Sequence, residues 1–250
     1  MPKQQNYSSY KFKLCHMTRT IKTGLAAILM LAISCKKENN TIHSTPVSVN
    51  SSSDAIAGKY SSVIIGTQKW MARNLDVTHY RNGDRIPQVQ DPIKWMKLTT
   101  GAWCWFNNDS ATGAFYGRLY NWYAVNDPRG LAPKGWHVPD GAEWDALSMF
   151  LSSKVGGKFK DTGTIESGTG VWHAPNSGAT NESRFTGLPG GYRSNIDGSF
   201  YSIGYAGYWW TSGEKDPANA WFQKLFYTSR KLDSNSACKD VALSVRCIRN

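Results

Sequence analysis

The stretch Pro139–Leu151, P-D-G-A-E-W-D-A-L-S-M-F-L, carries the clearest signal for a regular element in this sequence. Asp140 can cap a helix, and Glu143 follows three residues later, which is the spacing of a capping box. An apolar stripe at helical spacing follows, formed by Trp144, Leu147 and Leu151. The stretch therefore predicts an amphipathic helix that packs on a domain core.

The flanking sequence predicts one more helix and several strands. Phe115–Val125 places apolar residues on one face at helical spacing, and Tyr60–Leu75 has the pattern of strand, turn and strand around Gly66. After about residue 157, short strands and glycine-rich turns follow, and Val241–Ile248 is predicted as a last strand with alternating apolar positions. Helices in the first half and irregular strands in the second indicate an α+β domain.

Residues 1–34 have the layout of a lipoprotein signal peptide. Arg19 and Lys22 precede an apolar run that ends in A-I-S-C, and the run is shorter than the roughly 18 apolar residues that span a membrane. We expect cleavage before Cys35, lipidation of its sulfur and membrane attachment through the lipid only. The alternative is a secreted protein in which Cys35 is incidental. A start at Met17 would give a signal peptide of normal length.

Two further segments follow the lipidation site. Residues 35–57 are mostly Ser, Thr, Asn, Val and Pro, which predicts a flexible tether. Lys36–Glu38 is either a sorting signal to the outer leaflet or part of that linker, so we expect the protein at the outer membrane or the cell surface. Residues 58–250 have the size of one domain and hold all 11 tryptophans. Because aromatic side chains bury large areas, most of these indoles must belong to the core.

The charge balance argues against a nucleic-acid partner. The whole chain has a net charge of +11, of which residues 1–35 contribute +5, so residues 36–250 carry +6. This excess is not clustered into the basic stripe that nucleic-acid binding usually shows.

Three of the five cysteines lie in the domain, and an odd number in an oxidising compartment leaves one thiol over. A disulfide between Cys238 and Cys247 would close a short loop. The rival pairing is Cys104 with Cys247.

Seven motifs occur in an order that resembles a known family. They are W-M-A-R-N-L (70–75), Y-G-R-L-Y-N-W (116–122), G-W-H-V-P with E-W (135–144), G-A-T-N-E-S (178–183), L-P-G-G-Y-R (188–193), G-Y-W-W-T-S (207–212) and S-V-R-C (244–247). Together they resemble the Fibrobacter succinogenes major paralogous domain over about residues 60–250. That family is usually carried by lipoproteins of Bacteroidetes-type bacteria. Many relatives have a cysteine before Y-G-R-L-Y that is absent here, which favours Cys104 as the unpaired thiol.

A more distant likeness concerns formylglycine-generating-enzyme-like domains. H-V-P with E-W (137–144), G-G-Y-R (190–193) and V-R-C (245–247) are similar to segments of that group. The resemblance implies a C-type-lectin-like fold, with two helices on short twisted antiparallel sheets and long loops. It also raises a copper(I) site at Cys238 and Cys247, since soft thiolates suit that metal. These two cysteines lie further apart than those of that group, and the surrounding catalytic residues have no match here.

The candidate ligand-binding residues lie in the second half of the domain. Adjacent strand residues point to opposite faces, so either Trp209 or Trp210, together with Tyr208, is the best candidate for an exposed aromatic contact. Three oxygen donors in glycine-rich loops suggest a calcium site, although they match no defined calcium motif: Asn181, Glu182 and Glu214. The alternatives are that both indoles are buried and that the oxygens only cap turns.

Evidence for an enzyme or a resident cofactor is weak. The histidines His79, His137 and His173 are scattered without zinc-ligand spacing, and His137 is expected to be a hydrogen-bonded structural residue. Only composition supports a glycosidase pair among Glu182, Glu214 and Asp216. The sequence therefore predicts a non-enzymatic, lipid-anchored binding domain for a glycan or a surface protein. The alternatives are a structural envelope lipoprotein without a soluble ligand and a glycan-active or copper-dependent enzyme.

Overall fold

The computed structural model describes residues 60–250. The predicted signal peptide (1–34), the lipidation site Cys35 and the tether (35–57) lie outside the described residues, as do the first two residues of the predicted domain. None of the helices formed by residues 60–250 is long and apolar enough to cross a membrane.

Short elements make up the described chain. The strands are β1 (Ser62–Ile65), β2 (Gln68–Met71), β3 (Trp103–Cys104), β4 (Leu119–Asn121), β5 (Trp136–His137), β6 (Gly190–Arg193), β7 (Phe200–Ile203), β8 (Ala206–Glu214), β9 (Asn219–Phe226), β10 (Leu232–Cys238), β11 (Ala242–Leu243) and β12 (Ile248–Arg249). The helices are α1 (Pro92–Trp95), α2 (Ser110–Tyr116), α3 (Trp122–Val125), α4 (Gly141–Leu151) and α5 (Val155–Phe159), with a 3₁₀ turn over Phe106–Asn108.

The strands form three antiparallel sheets. Their orders are β1-β2-β12-β5, β10-β9-β8 and β3-β4-β11-β6-β7. Few helices and several antiparallel sheets make this a sheet-rich α+β domain, as the sequence predicted. The last two strands lie inside two different sheets, so the carboxyl-terminal segment connects sheets that are otherwise built from distant parts of the chain.

Helix α4 forms as predicted from its capping box. Asp140 Oδ1 accepts from Glu143 N at 2.9 Å, and Glu143 Oε2 accepts from Asp140 N at 3.0 Å, which satisfies two amide donors at the helix start. The predicted stripe is buried in full, and its members are Trp144, Leu147 and Leu151. The hairpin of β1 and β2 is also confirmed, with Gly66 at φ +62° in its turn.

The predicted helix over Phe115–Val125 is wrong. Helix α2 ends at Tyr116 because Gly117 adopts φ +82°, a backbone conformation that does not continue a helix. Leu119–Asn121 then forms β4, paired with β3 and β11, and only the single turn α3 follows, capped by the Asn121 side chain. All three residues of β4 are buried, and the apolar residues Trp122 and Tyr123 belong to α3.

The predicted continuous last strand over Val241–Ile248 is also wrong. The segment forms β11 and β12, and Ser244–Cys247 between them runs from one sheet to another. Every residue from 241 to 248 is buried, so there is no alternation between core and solvent. The crossing therefore places the side chains of Ser244–Cys247 at the centre of the domain.

Candidate functional site

A buried polar cluster ties together the segments that carry the sequence motifs. Asn74 Oδ1 accepts hydrogen bonds from Trp209 Nε1 at 2.9 Å and from Arg246 Nε and Nη2 at 3.0 and 2.8 Å. Asn74 Nδ2 donates to Tyr116 O at 2.8 Å and to Ser244 Oγ at 3.4 Å. One carboxamide thus joins four motif segments, and we infer that these motif residues hold the core together.

Arg246 enters this cluster with its charge fully buried. Its Nη1 donates to Met71 O at 3.1 Å and to Phe185 O at 2.7 Å, and its guanidinium lies 4.3 Å from the centre of the Phe185 ring. Burial lowers the pKa of Arg246 to about 9. Carbonyl oxygens and an aromatic face therefore stabilise this cation, and no carboxylate partner is present among residues 60–250.

The predicted exposed aromatic contact at Trp209 or Trp210 is wrong. Both indoles are 0% exposed, and Tyr208 is buried as well. Strand β8 lies between two core clusters, with Trp209 packing against Trp144 on one side and Trp210 against Phe222 on the other. The predicted opposite orientation is correct, but each face of the strand meets a core. Neither indole is therefore available to a ligand.

The predicted oxygen donors are not brought together. Asn181 closes its own loop, with Oδ1 accepting from Thr186 N at 2.9 Å. Glu182 pairs with Lys158 at 3.4 Å, and Glu214 pairs with Lys239 at 2.9 Å. Asp216, the third candidate acid, caps the turn before β9. No group of three or more His, Cys, Asp or Glu side chains that could hold a metal ion occurs in the described part of the chain.

Trp221, which the sequence reasoning missed, is exposed. All 11 tryptophans lie within the described residues, and Trp221 is the most exposed of them, at 38%. It lies on β9 opposite Ser236 of β10, with Lys215 Nζ 5.1 Å from its ring centre. Lys215 Nζ also donates to Ser236 Oγ at 2.8 Å. An ammonium group therefore links the indole to the neighbouring strand.

We name the Trp221 surface from the residues around this indole: Lys215, Trp221, Ser234 and Ser236. Ser234 and Ser236 share a face of β10 because they are two residues apart, and Ser236 is directly opposite Trp221. An exposed aromatic ring, hydroxyl groups and an ammonium group thus lie together. The sequence held a signal for this placement, since Asn219, Trp221 and Gln223 alternate with Ala220 and Phe222.

Residues 63–249 match the sequence model of the Fibrobacter succinogenes major domain. The chain belongs to this family. Neither a search of curated proteins nor a search of solved structures found a match. Because the family match spans all three sheets, the buried Asn74 cluster and the Trp221 surface both belong to the Fibrobacter succinogenes major domain.

Two more buried cations donate hydrogen bonds to backbone carbonyls, as Arg246 does. Arg193 donates to Val89 O, Gln90 O and Gly198 O at 2.6 to 2.8 Å and lies between the rings of Trp95 and Phe200. Lys160 is also fully buried, and its Nζ donates to three backbone carbonyls at 3.0 to 3.3 Å: Ser177 O, Phe226 O and Ser229 O. Burial lowers the pKa of Lys160 to about 8.

The position of Lys160 bears on the predicted calcium site. Backbone carbonyl oxygens are among the ligands that calcium uses. Three such oxygens, those of Ser177, Phe226 and Ser229, already bind the ammonium group of Lys160. A bound divalent cation would therefore need other ligands in this part of the domain.

The histidines make local contacts. His137 lies between Asn250 Oδ1 and Glu143 Oε1 at 2.8 Å each, which confirms it as a hydrogen-bonded residue. His173 Nδ1 is 2.7 Å from Glu166 Oε1, and its ring stacks on Tyr205 at 4.0 Å.

The predicted disulfide between Cys238 and Cys247 is absent, and so is the rival bond from Cys104. The side chains of all three cysteines are buried. Cys238 ends β10 opposite Asn219, whereas Cys247 precedes β12 in a different sheet. Although the two cysteines are close in sequence, they lie beside different sheets.

We expect Cys104 and Cys247 to resist alkylation in the folded protein. Burial raises the pKa of each thiol to about 12, and the thiolate is the reactive form. N-ethylmaleimide at about pH 8 should leave both unlabelled until guanidinium chloride is added. Peptide mapping by mass spectrometry measures this, with Ser153→Cys as an exposed control. Labelling of either native thiol at the rate of that control would contradict the buried placement.

Proposed function

We propose that this chain is a non-enzymatic binding protein of the cell envelope that recognises a glycan through the Trp221 surface. The observation that supports this most directly is the exposure of the Trp221 indole in a domain whose other tryptophans serve the core. Exposed tryptophan is a common anchor in binding interfaces. The neighbouring hydroxyl groups of Ser234 and Ser236 are suited to hydrogen bonds with sugar hydroxyls.

The ammonium group of the Trp221 surface supports a polar ligand. Lys215 is held against the indole and against Ser236, so its ammonium group stays beside the ring. A glycan would stack on the ring and exchange hydrogen bonds with this ammonium group and with the serine hydroxyls.

We also propose a cellular location for the protein and a C-type-lectin-like fold for the domain. The signal peptide and Cys35 favour a lipid-anchored protein of the outer membrane or cell surface, attached through residues 35–57. The C-type-lectin-like fold is supported by the short antiparallel sheets, the capped helix α4 and the long connection between α5 and β6. Fold similarity alone does not assign a ligand, so the glycan is argued from the Trp221 surface.

The test is a binding screen against glycan and polysaccharide panels, run with calcium and with a chelator. We expect Trp221→Ala to weaken binding by about tenfold or more, as for an aromatic anchor. Phe115→Ala, which removes an aromatic ring that is 52% exposed on α2, is the matched control and should leave affinity unchanged.

Equal binding by the wild type and Trp221→Ala would overturn the assignment to this surface. Failure of the folded protein to bind any glycan would favour a surface-protein ligand or a structural envelope role. Loss of binding in the presence of the chelator would show that binding needs a metal ion. No cluster of His, Cys, Asp or Glu side chains within residues 60–250 identifies where that ion would lie.

A further inference from the structure

A second concave site lies apart from the Trp221 surface. It is a cleft of about 500 Å³, within the range of roughly 300–1,000 Å³ that is typical of small-molecule pockets. Residues 76–81 form one wall, and Leu131, Pro133 and Lys134 form the other, with Tyr60 beside them. The cleft shares no residue with the Trp221 surface.

Both walls of the cleft are fixed to the rest of the domain. Val77 exchanges hydrogen bonds with the buried Tyr120 hydroxyl, through its N at 2.7 Å and its O at 2.8 Å. Arg81 N donates to Gly130 O at 2.7 Å, and Arg81 Nε donates to Ala132 O at 2.9 Å, which joins one wall to the other. A ligand would therefore meet a preformed site, which reduces the ordering cost of binding.

The charge of the cleft is positive at the end where the walls meet. Arg81 Nε and Nη2 are occupied by the carbonyls of Ala132 and Trp136, and within residues 60–250 no hydrogen bond uses its Nη1. Lys134 is exposed and has no ion pair among the described residues.

Asp76, the one carboxylate in the lining, already has a cationic partner. It is paired with Arg118, whose guanidinium lies 4.3 Å from the ring centre of Trp103. Arg81 and Lys134 therefore remain to attract an anion.

The remaining lining has the mixed character that suits a sugar. Tyr60, Val77, Leu131 and Pro133 offer aromatic and apolar contact. Thr78 Oγ1 lies 2.8 Å from His79 Nδ1, which fixes the imidazole and leaves its Nε2 for a ligand hydroxyl. Apolar walls with a few placed polar groups are typical of small-molecule sites.

We propose that this cleft binds a carboxylate-bearing sugar, such as a uronic acid or a terminal uronate residue of a glycan. The sugar carboxylate faces Arg81 Nη1 and Lys134 Nζ, because charge-assisted hydrogen bonds to these groups are the strongest that the site offers. The sugar ring lies against the apolar wall, and its hydroxyls reach Thr78 and His79. The proposal adds a second site and does not depend on the Trp221 surface.

Isothermal titration of the full-length chain tests it, with glucuronate and galacturonate as probes and glucose, acetate and inorganic phosphate as comparisons. We expect the uronates to bind at least about tenfold more tightly than glucose and acetate, since the site uses both the ring and the charge. Lys134→Gln should weaken uronate binding by about tenfold, the effect of losing one charge-assisted hydrogen bond. Lys97→Gln, at another exposed lysine, is the matched control and should change nothing.

Three results would overturn the proposal. The first is that the folded chain does not bind uronates. The second is that it binds phosphate or acetate as tightly as uronates, which would make the cleft a general anion site. The third is that Lys134→Gln binds uronates with unchanged affinity. Because Lys134 makes no hydrogen bond within the described residues, that variant should fold normally. Trp221→Ala, run in parallel, should retain full uronate affinity, which separates this site from the Trp221 surface.

Discussion

Asn74→Ala is expected to lower the free energy of unfolding by about 3–5 kcal/mol. The substitution removes the oxygen that accepts from Trp209 Nε1 and twice from Arg246, so a fully buried guanidinium loses part of its only polar environment. It also leaves Tyr116 O without the Asn74 amide. Urea denaturation followed by circular dichroism measures the change.

Asn126→Ala is the matched control for this substitution. Asn126 is exposed at the end of α3, where its change to alanine should stay within about 0.5 kcal/mol. Similar stability of the two variants would show that the Asn74 cluster does not hold the motif segments together.

Trp209→Ala is expected to destabilise the domain by about 3–5 kcal/mol, as large-to-small changes of buried aromatics do. The indole fills the space between Trp144 and Phe185, with ring centres 6.5 and 5.7 Å away, and its Nε1 is hydrogen-bonded to Asn74. Any loss of ligand binding in this variant would follow from unfolding. Thermal and urea denaturation measure the effect.

Trp221→Ala provides the internal comparison, because it removes the same side chain from an exposed position. We expect it to cost less than about 1 kcal/mol. If Trp209→Ala were as stable as Trp221→Ala, then the core placement of the β8 indoles would be incorrect.

The elements that the sequence predicted correctly are those specified by neighbouring residues. Helix α4 depends on Asp140 and Glu143 three residues apart, and the first hairpin depends on the turn at Gly66. The failures at Phe115–Val125 and Val241–Ile248 share another cause. In each segment, strands from distant parts of the chain pair with β4, β11 or β12 and divide the segment into separate elements, so its apolar pattern carries no single period.

The candidate site was harder to predict for a related reason. Trp209 and Trp210 were expected to differ in exposure because they point to opposite faces, but β8 has a core on both faces. The partners of Arg246 and Lys160 are mostly backbone carbonyls, and every residue type carries these, so sequence patterns do not reveal them. The exposure of Trp221 could have been predicted from the alternation of Asn219, Trp221 and Gln223 with apolar residues. Gln223 is nevertheless buried.

The central claim is that one tryptophan meets the ligand while the others hold the fold. The most direct measurement is a glycan titration followed through the indole N–H signals by NMR, with the Trp221 signal assigned from a Trp221→Phe variant. The account predicts that the Trp221 signal shifts on binding while the signals of Trp209 and Trp210 stay in place. Shifts of Trp209 and Trp210 with an unchanged Trp221 signal would contradict it.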